Sequence, residues 1–362
     1  MNFPRNLYIE LAKEENRSPD FIKNTLDYID NLNSKDLPVI FSLMHFAKLL
    51  NIDFLELQSI INNRHNHYSY YLIRKRQGGY RRIIAPHSNI KKIQNWIKIN
   101  ILDKVEVHPV ATGFVKGKSI LDNAKFHKDE NVILNIDLEN FFETITEKRV
   151  YGIFKSLGYC KNLSVEFARI CTAKITTFRF DELNEVEQGY FKEMLNLRQS
   201  VLVQGAPTSP LLSNLICRRL DKRLSSLAIK LDVNYSRYAD DMTFSGEQEK
   251  LPNINLLKKI IIDEDFKINW QKVGKYKKGQ KQIVTGLLID EKIRVPKKFK
   301  KEIYRHLHFC EKFGAYSHFQ RISPNKGYRK EWLLGKIMFV NSIEPEEAKK
   351  MFKIVKQINW EI

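Results

Sequence analysis

The spacing of apolar positions changes several times along the chain. Residues 1–36 are polar and mostly helical in pattern, ending in the breaker-rich NLNSKD. Residues 37–62 keep the helical period, which predicts one or two helices. Tyr70–Pro86 (YYLIRKRQGGYRRIIAP) reads as a strand, a Gly-Gly turn and a second strand ended by proline, with charge at the hairpin tip. Residues 88–103 form an amphipathic helix opened by Ser88 and closed near Asp103. Residues 131–138 (NVILNIDL) read as a buried strand. Thr144 and Glu147 have the Thr-x-x-Glu spacing of a capping box, so a helix is expected from there to Gly158. Residues 161–200 hold a helical stretch and an acidic segment, DELNEVEQ, read as an exposed loop or insertion. A helix over 210–230 should start at Pro210. Residues 234–245 (NYSRYADDMTFS) alternate on both sides of Asp240-Asp241, a β-hairpin with the acids at its tip. Residues 255–263 look helical, 282–295 look like a strand pair, and the pattern is helical and basic from Pro296. This order predicts an α+β fold with an antiparallel sheet rather than a doubly wound one.

Composition narrows the partner. The 362 residues carry 61 Lys and Arg against 42 Asp and Glu, a formal net charge of +19. That excess attracts polyanions, nucleic acid first and an anionic membrane surface second. Much of it sits late: residues 251–362 hold 25 Lys and Arg against 12 Asp and Glu, as a surface built for a phosphate backbone would. The four cysteines, Cys160, Cys171, Cys217 and Cys310, form no CxxC pair, so neither a zinc site nor a disulfide framework is expected. The N-terminal residues lack a cleavable apolar core, and no apolar run reaches the ~18 residues that span a bilayer. A soluble, cytoplasmic protein with no membrane partner is the expectation.

The candidate chemistry rests on three acids. Asp137 ends an apolar strand, and Asp240 and Asp241 sit at a hairpin tip. If the strands pair, carboxylates from two backbone segments converge. Two metal ions roughly 3.5–4 Å apart, held that way, clamp the attacking and leaving oxygens of a phosphoryl transfer. Mg²⁺ suits such a site because it is hard and takes oxygen ligands.

Tyr238-Ala239-Asp240-Asp241 resembles the central motif of reverse transcriptases. Asn135–Phe142 (NIDLENFF) is similar to their first acidic motif, and Gln204–Pro210 (QGAPTSP) to the segment that shapes their nucleotide pocket. Asn123-Ala124-Lys125-Phe126-His127 matches the Asn-Ala-x-x-His pattern of bacterial retron reverse transcriptases. Val284-Thr285-Gly286 matches their Val-Thr-Gly, and Gly113–Ile120 also resembles them. Arg74 departs from the pattern, which has proline before a basic pair. The resemblance runs from about Leu37 onward.

It implies a right-hand polymerase: an N-terminal helical extension over 1–36, fingers and palm over 37–290, and a basic helical thumb over 291–362. It implies that Asp137, Asp240 and Asp241 are catalytic and hold two Mg²⁺ ions, with Mn²⁺ as a substitute, and that the Leu138 carbonyl reaches a metal. Lys75, Arg81 and Arg82 would grip the triphosphate, Arg81 being the best match to the family's fingers arginine. Phe142 would lie beneath the incoming sugar and exclude a 2′-hydroxyl, while Phe141 reads as core. Gln204 and Gly205 would lie along the nucleotide. Lys272 is a candidate general acid toward pyrophosphate. Asn123 and His127, spaced i, i+4, would share a surface that holds RNA. Lys297, Lys298, Lys300 and Lys301, with Tyr304, His306, His308 and Phe309 among them, would pack on a duplex, and the loop from Arg321 to Arg329 would grip a stem.

The retron resemblance further implies partners: a cognate non-coding RNA, its cDNA product, dNTPs, an effector protein encoded nearby, and an oligomer with that effector. The expected activity is copying part of that RNA into short single-stranded DNA from a 2′-hydroxyl start, in anti-phage defence. Two other readings stay open on sequence: another prokaryotic reverse transcriptase, of the defence or group II intron type, and an inactive RNA-binding scaffold.

Overall fold

The computed structural model describes residues 3–75, 78–322 and 329–360. The chain divides into two compact units, each built from three stretches. One comprises residues 1–109, 138–222 and 261–267, the other residues 110–137, 223–260 and 268–362.

The first stretch is helical and then forms a hairpin. Helices α1 (Arg5–Glu14), α2 (Pro19–Asn33), α3 (Leu43–Leu50) and α4 (Phe54–Asn62) precede strands β1 (Tyr68–Arg74) and β2 (Tyr80–Pro86), followed by α5 (Ser88–Asn100). The side chains of Ser18, Ser42 and Asp53 cap α2, α3 and α4, taking up backbone N–H groups that a helix start leaves orphaned. The β1–β2 ladder pairs Tyr68 with Pro86 through Arg74 with Tyr80. Gly78 and Gly79, both with positive φ, supply its turn.

The second unit begins with α6 (Ile120–Lys125) and β3 (Val132–Asp137). The chain then re-enters the first unit with α7 (Glu147–Leu157), α8 (Lys161–Cys171), α9 (Thr177–Asp181), α10 (Glu185–Leu195) and α11 (Ser209–Ile216). Phe46, Phe154 and Tyr159 pack edge-on around Phe167 at centroid distances of 5.1–5.3 Å, forming an aromatic cluster in that unit's core. Three sequence expectations change here. Thr144 caps nothing: its Oγ1 donates to the Phe141 carbonyl, and α7 starts after Thr146 with no side-chain cap. The acidic segment 181–188 is not a loop but the end of α9, a turn and the start of α10, with Asn184 and Glu187 forming a reciprocal capping box. The helix over 210–230 is two, α11 and α12 (Arg218–Lys230), parted at Cys217.

Strands β4 (Asn234–Tyr238) and β5 (Asp241–Gly246), helix α13 (Ile254–Asp263) and β6 (Gly274–Lys277) follow. The antiparallel sheet has the order β4-β5-β3-β6, so β3 is central, and Val132, Ile133, Leu134 and Ile136 are all buried. The expected strand pair near 282–295 is a three-stranded sheet: β7 (Ile283–Val284), β8 (Leu287–Ile289) and β9 (Ile293–Arg294). Thr285 and Gly286 both have positive φ, the backbone that a two-residue hairpin turn needs. Helices α14 (Lys297–Phe313), α15 (Ala315–Ile322), α16 (Arg329–Asn341) and α17 (Pro345–Gln357) complete the unit. They share one core with α6, β3 and the small sheet, through Ala124, Ile133, Leu287, Leu307, Leu333 and Met351 among others. Among the described residues no helix is long and apolar enough to cross a membrane.

Candidate functional site

In the second unit, strand pairing brings the three acids to one end of the sheet. Asp137 is the last residue of β3 and Asp241 the first of β5, and they are cross-strand partners. Ala239 and Asp240 form the turn between β4 and β5, Ala239 with φ 57°. This left-handed backbone is uncommon outside glycine. It is held from two sides. Arg237, wholly buried, donates from Nη1 to the Ala239 carbonyl at 2.9 Å. Gly113 lies so close that a Cβ there would sit 2.7 Å from Ala239 N and 3.1 Å from the Tyr238 ring.

Asp137 is 4% exposed and satisfied on both oxygens. Oδ1 accepts from Asn269 Nδ2 at 3.0 Å, and Oδ2 accepts from Lys272 Nζ at 2.7 Å. Asp241 opens to solvent on one side, but the crowding of protein around it, then Asp240, then Asp137, pushes its carboxyl well above the usual range, to about 7. Like charges this close disfavour joint ionisation. Leu138 follows directly and is buried.

Among the described residues no group of three or more His, Cys, Asp or Glu side chains makes a ready metal cage. The donors here are all oxygens, however, and carry more negative charge than Lys272 offsets. That suits Mg²⁺, which binds through one or two carboxylates plus substrate phosphates rather than an all-protein cage.

The nucleotide-side candidates lie in the first unit. Arg81 and Arg82 are neighbours in β2 and so point to opposite faces. Arg81 is exposed, as is Lys75. Residues 76–77, part of the segment expected to carry charge, lie outside the described residues. Arg82 is committed to protein: it pairs with Glu143 at 2.5 Å and Glu193 at 3.2 Å, and donates to Asn140 Oδ1 and the Tyr190 carbonyl. It ties β2 to α10 and to the turn after β3, which corrects the expectation of a triphosphate contact. Gln204 accepts from Ile84 N at 2.8 Å through its carbonyl, docking the QGAPTSP segment on β2. Gly205, at φ 129°, has no room for a side chain, since a Cβ would lie 2.7 Å from the Ile84 carbonyl oxygen. Phe142 is half-buried, its ring 5.3 Å from that of Phe141, which is core as expected.

Asn123 and His127 correct the sequence reading most sharply. They are 1% and 0% exposed and bond to Thr112, Ser236 and Ser245, so neither presents a surface to RNA. Nor do they share a helical face, because α6 ends at Lys125.

In α14, Lys297, Lys298 and Lys301 are exposed. Lys300 is not available in the same way, because it pairs with Glu344 at 2.8 Å, whose carboxylate also accepts from Val295 N. His306 turns inward, its Nδ1 3.0 Å from His318 Nε2 and its ring stacked on Phe319. Arg321 is exposed at the end of α15, and Arg329 lies over the Tyr316 ring at the start of α16. The basic loop between them, residues 323–328, lies outside the described residues.

Sequence reasoning missed Arg237 and Asn269, and it read Gly113 only as the start of a family-like segment, not as the close neighbour of the Ala239 turn. A buried arginine three residues before the acid pair reads as a solvated charge in a polar-alternating strand. Asn269 offers no signal without the fold.

Comparison with known proteins agrees with the geometry. Residues 73–288 match the family model for reverse transcriptase (RNA-dependent DNA polymerase). The chain is 35% identical over 294 residues to the retron Ec86 reverse transcriptase of Escherichia coli, covering 79% of this chain and 84% of that one. It is 31% identical over 304 residues to the retron Mx162 reverse transcriptase of Myxococcus xanthus, spanning 59% of that longer protein. A solved structure of Candida albicans telomerase with a fragment of telomeric RNA is a distant likeness, at 12% identity and a TM-score of 0.41, covering 82% of this chain and 59% of that one. With its acids at the tip of an antiparallel hairpin, a family model matching more than half its length and retron relatives matching most of it, the chain belongs to the retron reverse transcriptases and is an RNA-directed DNA polymerase.

Proposed function

We propose that this polymerase copies part of a cognate structured non-coding RNA into short single-stranded DNA, starting from a 2′-hydroxyl within that RNA. The observation that carries the chemistry is the pairing of Asp137 with Asp241 across β3–β5, beside Asp240 at the turn. Asp137 and Asp240 would hold Mg²⁺ with the Leu138 carbonyl, and Asp241 would support them. The bound ions would activate the attacking hydroxyl and offset charge on the phosphates. Lys272 would release a proton toward the leaving pyrophosphate, a role that its ion pair with Asp137 supports. Exposed Arg81 and Lys75 would meet the triphosphate, Phe142 the sugar, and Gln204 and Gly205 the nucleotide's edge.

Lys297, Lys298 and Lys301, with Arg321 and Arg329, would meet RNA backbone, and such contacts read shape and phosphate more than base identity. The setting we infer is the cytoplasm, in company with an effector protein, in defence against phage. The relatives' retron type supports this assignment.

The test is to sequence the nucleic acid that co-purifies with the protein from its native locus, beside an Asp240→Asn, Asp241→Asn double variant. A short DNA of fixed sequence, joined to RNA and absent from the variant, is the expected result. RNA alone in both samples would overturn self-primed synthesis.

A further inference from the structure

The Asn-Ala-x-x-His segment is buried behind the hairpin that carries Asp240 and Asp241, and its hydrogen bonds run in one direction. Asn123 Oδ1 faces two hydroxyls, Thr112 Oγ1 and Ser236 Oγ, each at 2.7 Å. A carbonyl oxygen only accepts, so both hydroxyls donate to it. With its proton given to Asn123, Ser236 Oγ has only lone pairs left for His127 Nε2, 2.7 Å away. His127 Nε2 therefore carries the ring proton. Nδ1 is then the acceptor, and Ser245 Oγ, 2.8 Å away, donates to it. The chain runs Ser245 to His127 to Ser236 to Asn123, with Thr112 closing the end. All five residues are buried. A buried polar chain in which every member is satisfied is rigid, and breaking one link leaves a buried group unpaired.

Its placement matters more than its stability. Ser236 is on β4 and Ser245 on β5, so His127 clamps both strands of the hairpin. Thr112 N also donates to the Arg237 carbonyl at 2.8 Å, and Arg237 N donates to the Val110 carbonyl at 2.9 Å. Arg237 in turn holds the Ala239 carbonyl at the tip. Residues 110–127 thus brace the hairpin at Arg237, Ser236 and Ser245, on the strand next to the tip and on its partner, beside the ladder that β5 makes with β3.

We propose that Asn123, His127, Ser236 and Ser245 form a directed hydrogen-bond circuit, with His127 neutral and protonated on Nε2, that positions the Asp240-Asp241 tip for catalysis. On this view the segment acts on DNA synthesis through the hairpin and not through contact with RNA. These are positioning residues, and the inference rests on Asp240 being a catalytic acid. Burial, which pushes the His127 pKa down to about 3, accords with a ring that stays neutral.

The experiment measures steady-state synthesis on an oligo(dT)-primed poly(rA) template for wild type, Ser236→Ala, Ser245→Ala, Ser245→Thr and Asp240→Asn. Alongside it, nitrogen-15 NMR of ring-labelled protein reads the His127 tautomer. We expect Ser236→Ala and Ser245→Ala to lower kcat by about 10- to 100-fold, the scale of a small misplacement of reacting groups. KM for dTTP and affinity for RNA should stay within about 2-fold. Ser245→Thr, which keeps the hydroxyl, should recover most of the rate. Nitrogen-15 shifts should show Nε2 protonated and Nδ1 bare from pH 6 to 8, a readout that stands even if an alanine variant fails to fold. Unchanged kcat with weakened RNA binding would overturn the proposal, as would an Nδ1–H ring or an imidazolium. Asp240→Asn separates the two readings: activity surviving in it defeats the catalytic assignment, whereas activity lost there and kept in both serine variants defeats the circuit alone.

Discussion

Lys272 Nζ lies 2.7 Å from Asp137 Oδ2, an ion pair inside a cluster of three carboxylates. A metal ion competing for Asp137 must displace that ammonium. Lys272→Met removes the competitor and leaves the acids to repel one another. We expect the variant to melt lower than wild type in EDTA and to gain more melting temperature from added Mg²⁺. Equal Mg²⁺-induced gains in the two proteins would refute this. Its kcat should also fall if Lys272 donates the proton to pyrophosphate.

Asp240→Asn should abolish synthesis, at least ~100-fold, without harming the fold. Asp240 is one of the charges that raise the Asp241 carboxyl, so neutralising it relieves repulsion in the metal-free protein. The variant should therefore melt no lower than wild type in EDTA. A clear drop in melting temperature would show that Asp240 has a structural role.

Gly113→Ala places a methyl carbon 2.7 Å from Ala239 N, where backbone must move rather than a side chain. Strain of this kind costs about 1–3 kcal/mol. We expect a larger effect on kcat than on stability, because the displaced atoms belong to the turn of the acids. Circular dichroism melts beside initial rates check this.

Arg81 and Arg82 should separate cleanly. Arg82→Ala leaves Glu143 without its closest cation in a largely buried site and should destabilise by about 3 kcal/mol. Arg81→Ala should change stability by no more than about 0.5 kcal/mol and raise KM for dNTPs. Urea denaturation and dNTP titration distinguish the two.

Acid should weaken the fold through its buried imidazoles. The His127 pKa is depressed to about 3, and those of His65 and His306 to about 4, burial being the largest cause in each. Between those values and the ordinary 6.5, the unfolded chain binds more protons than the folded one, so stability rises with pH across that window. It is lost as pH falls from about 6.5. Asp241, raised to about 7, works the opposite way and offsets part of the loss between pH 7 and 4. Urea midpoints at pH 6.5 and pH 5 should differ in wild type and differ less in His127→Gln.

Period and punctuation made the fold legible where each face of an element sees one environment. The β1–β2 and β4–β5 hairpins, the buried β3 and the glycine that ends α7 were readable from sequence. The acidic stretch 181–188 was not, because acids on the solvated sides of two short helices look like a loop. The acids of the site were readable as a motif. What positions them was not: Asn123 and His127 are polar residues of the kind that usually face water, and only the strands behind them reveal that they face Ser236 and Ser245. Arg82 was misread because alternation tells which residues differ in face, not which face is covered.

The threading of one chain through two units has a consequence for biosynthesis. Strand β3 is complete at Asp137, but its partner β5 begins at Asp241, so roughly a hundred residues must leave the ribosome before the central strand can pair with it. The first unit in turn lacks residues 261–267 until later still. Neither unit can close early, and an apolar strand with open edges waits meanwhile. Pairing over such sequence distances is slow and exposes aggregation-prone edges. Chains halted before residue 267 should therefore be insoluble or held by chaperones, and the protein should be sensitive to growth temperature during expression.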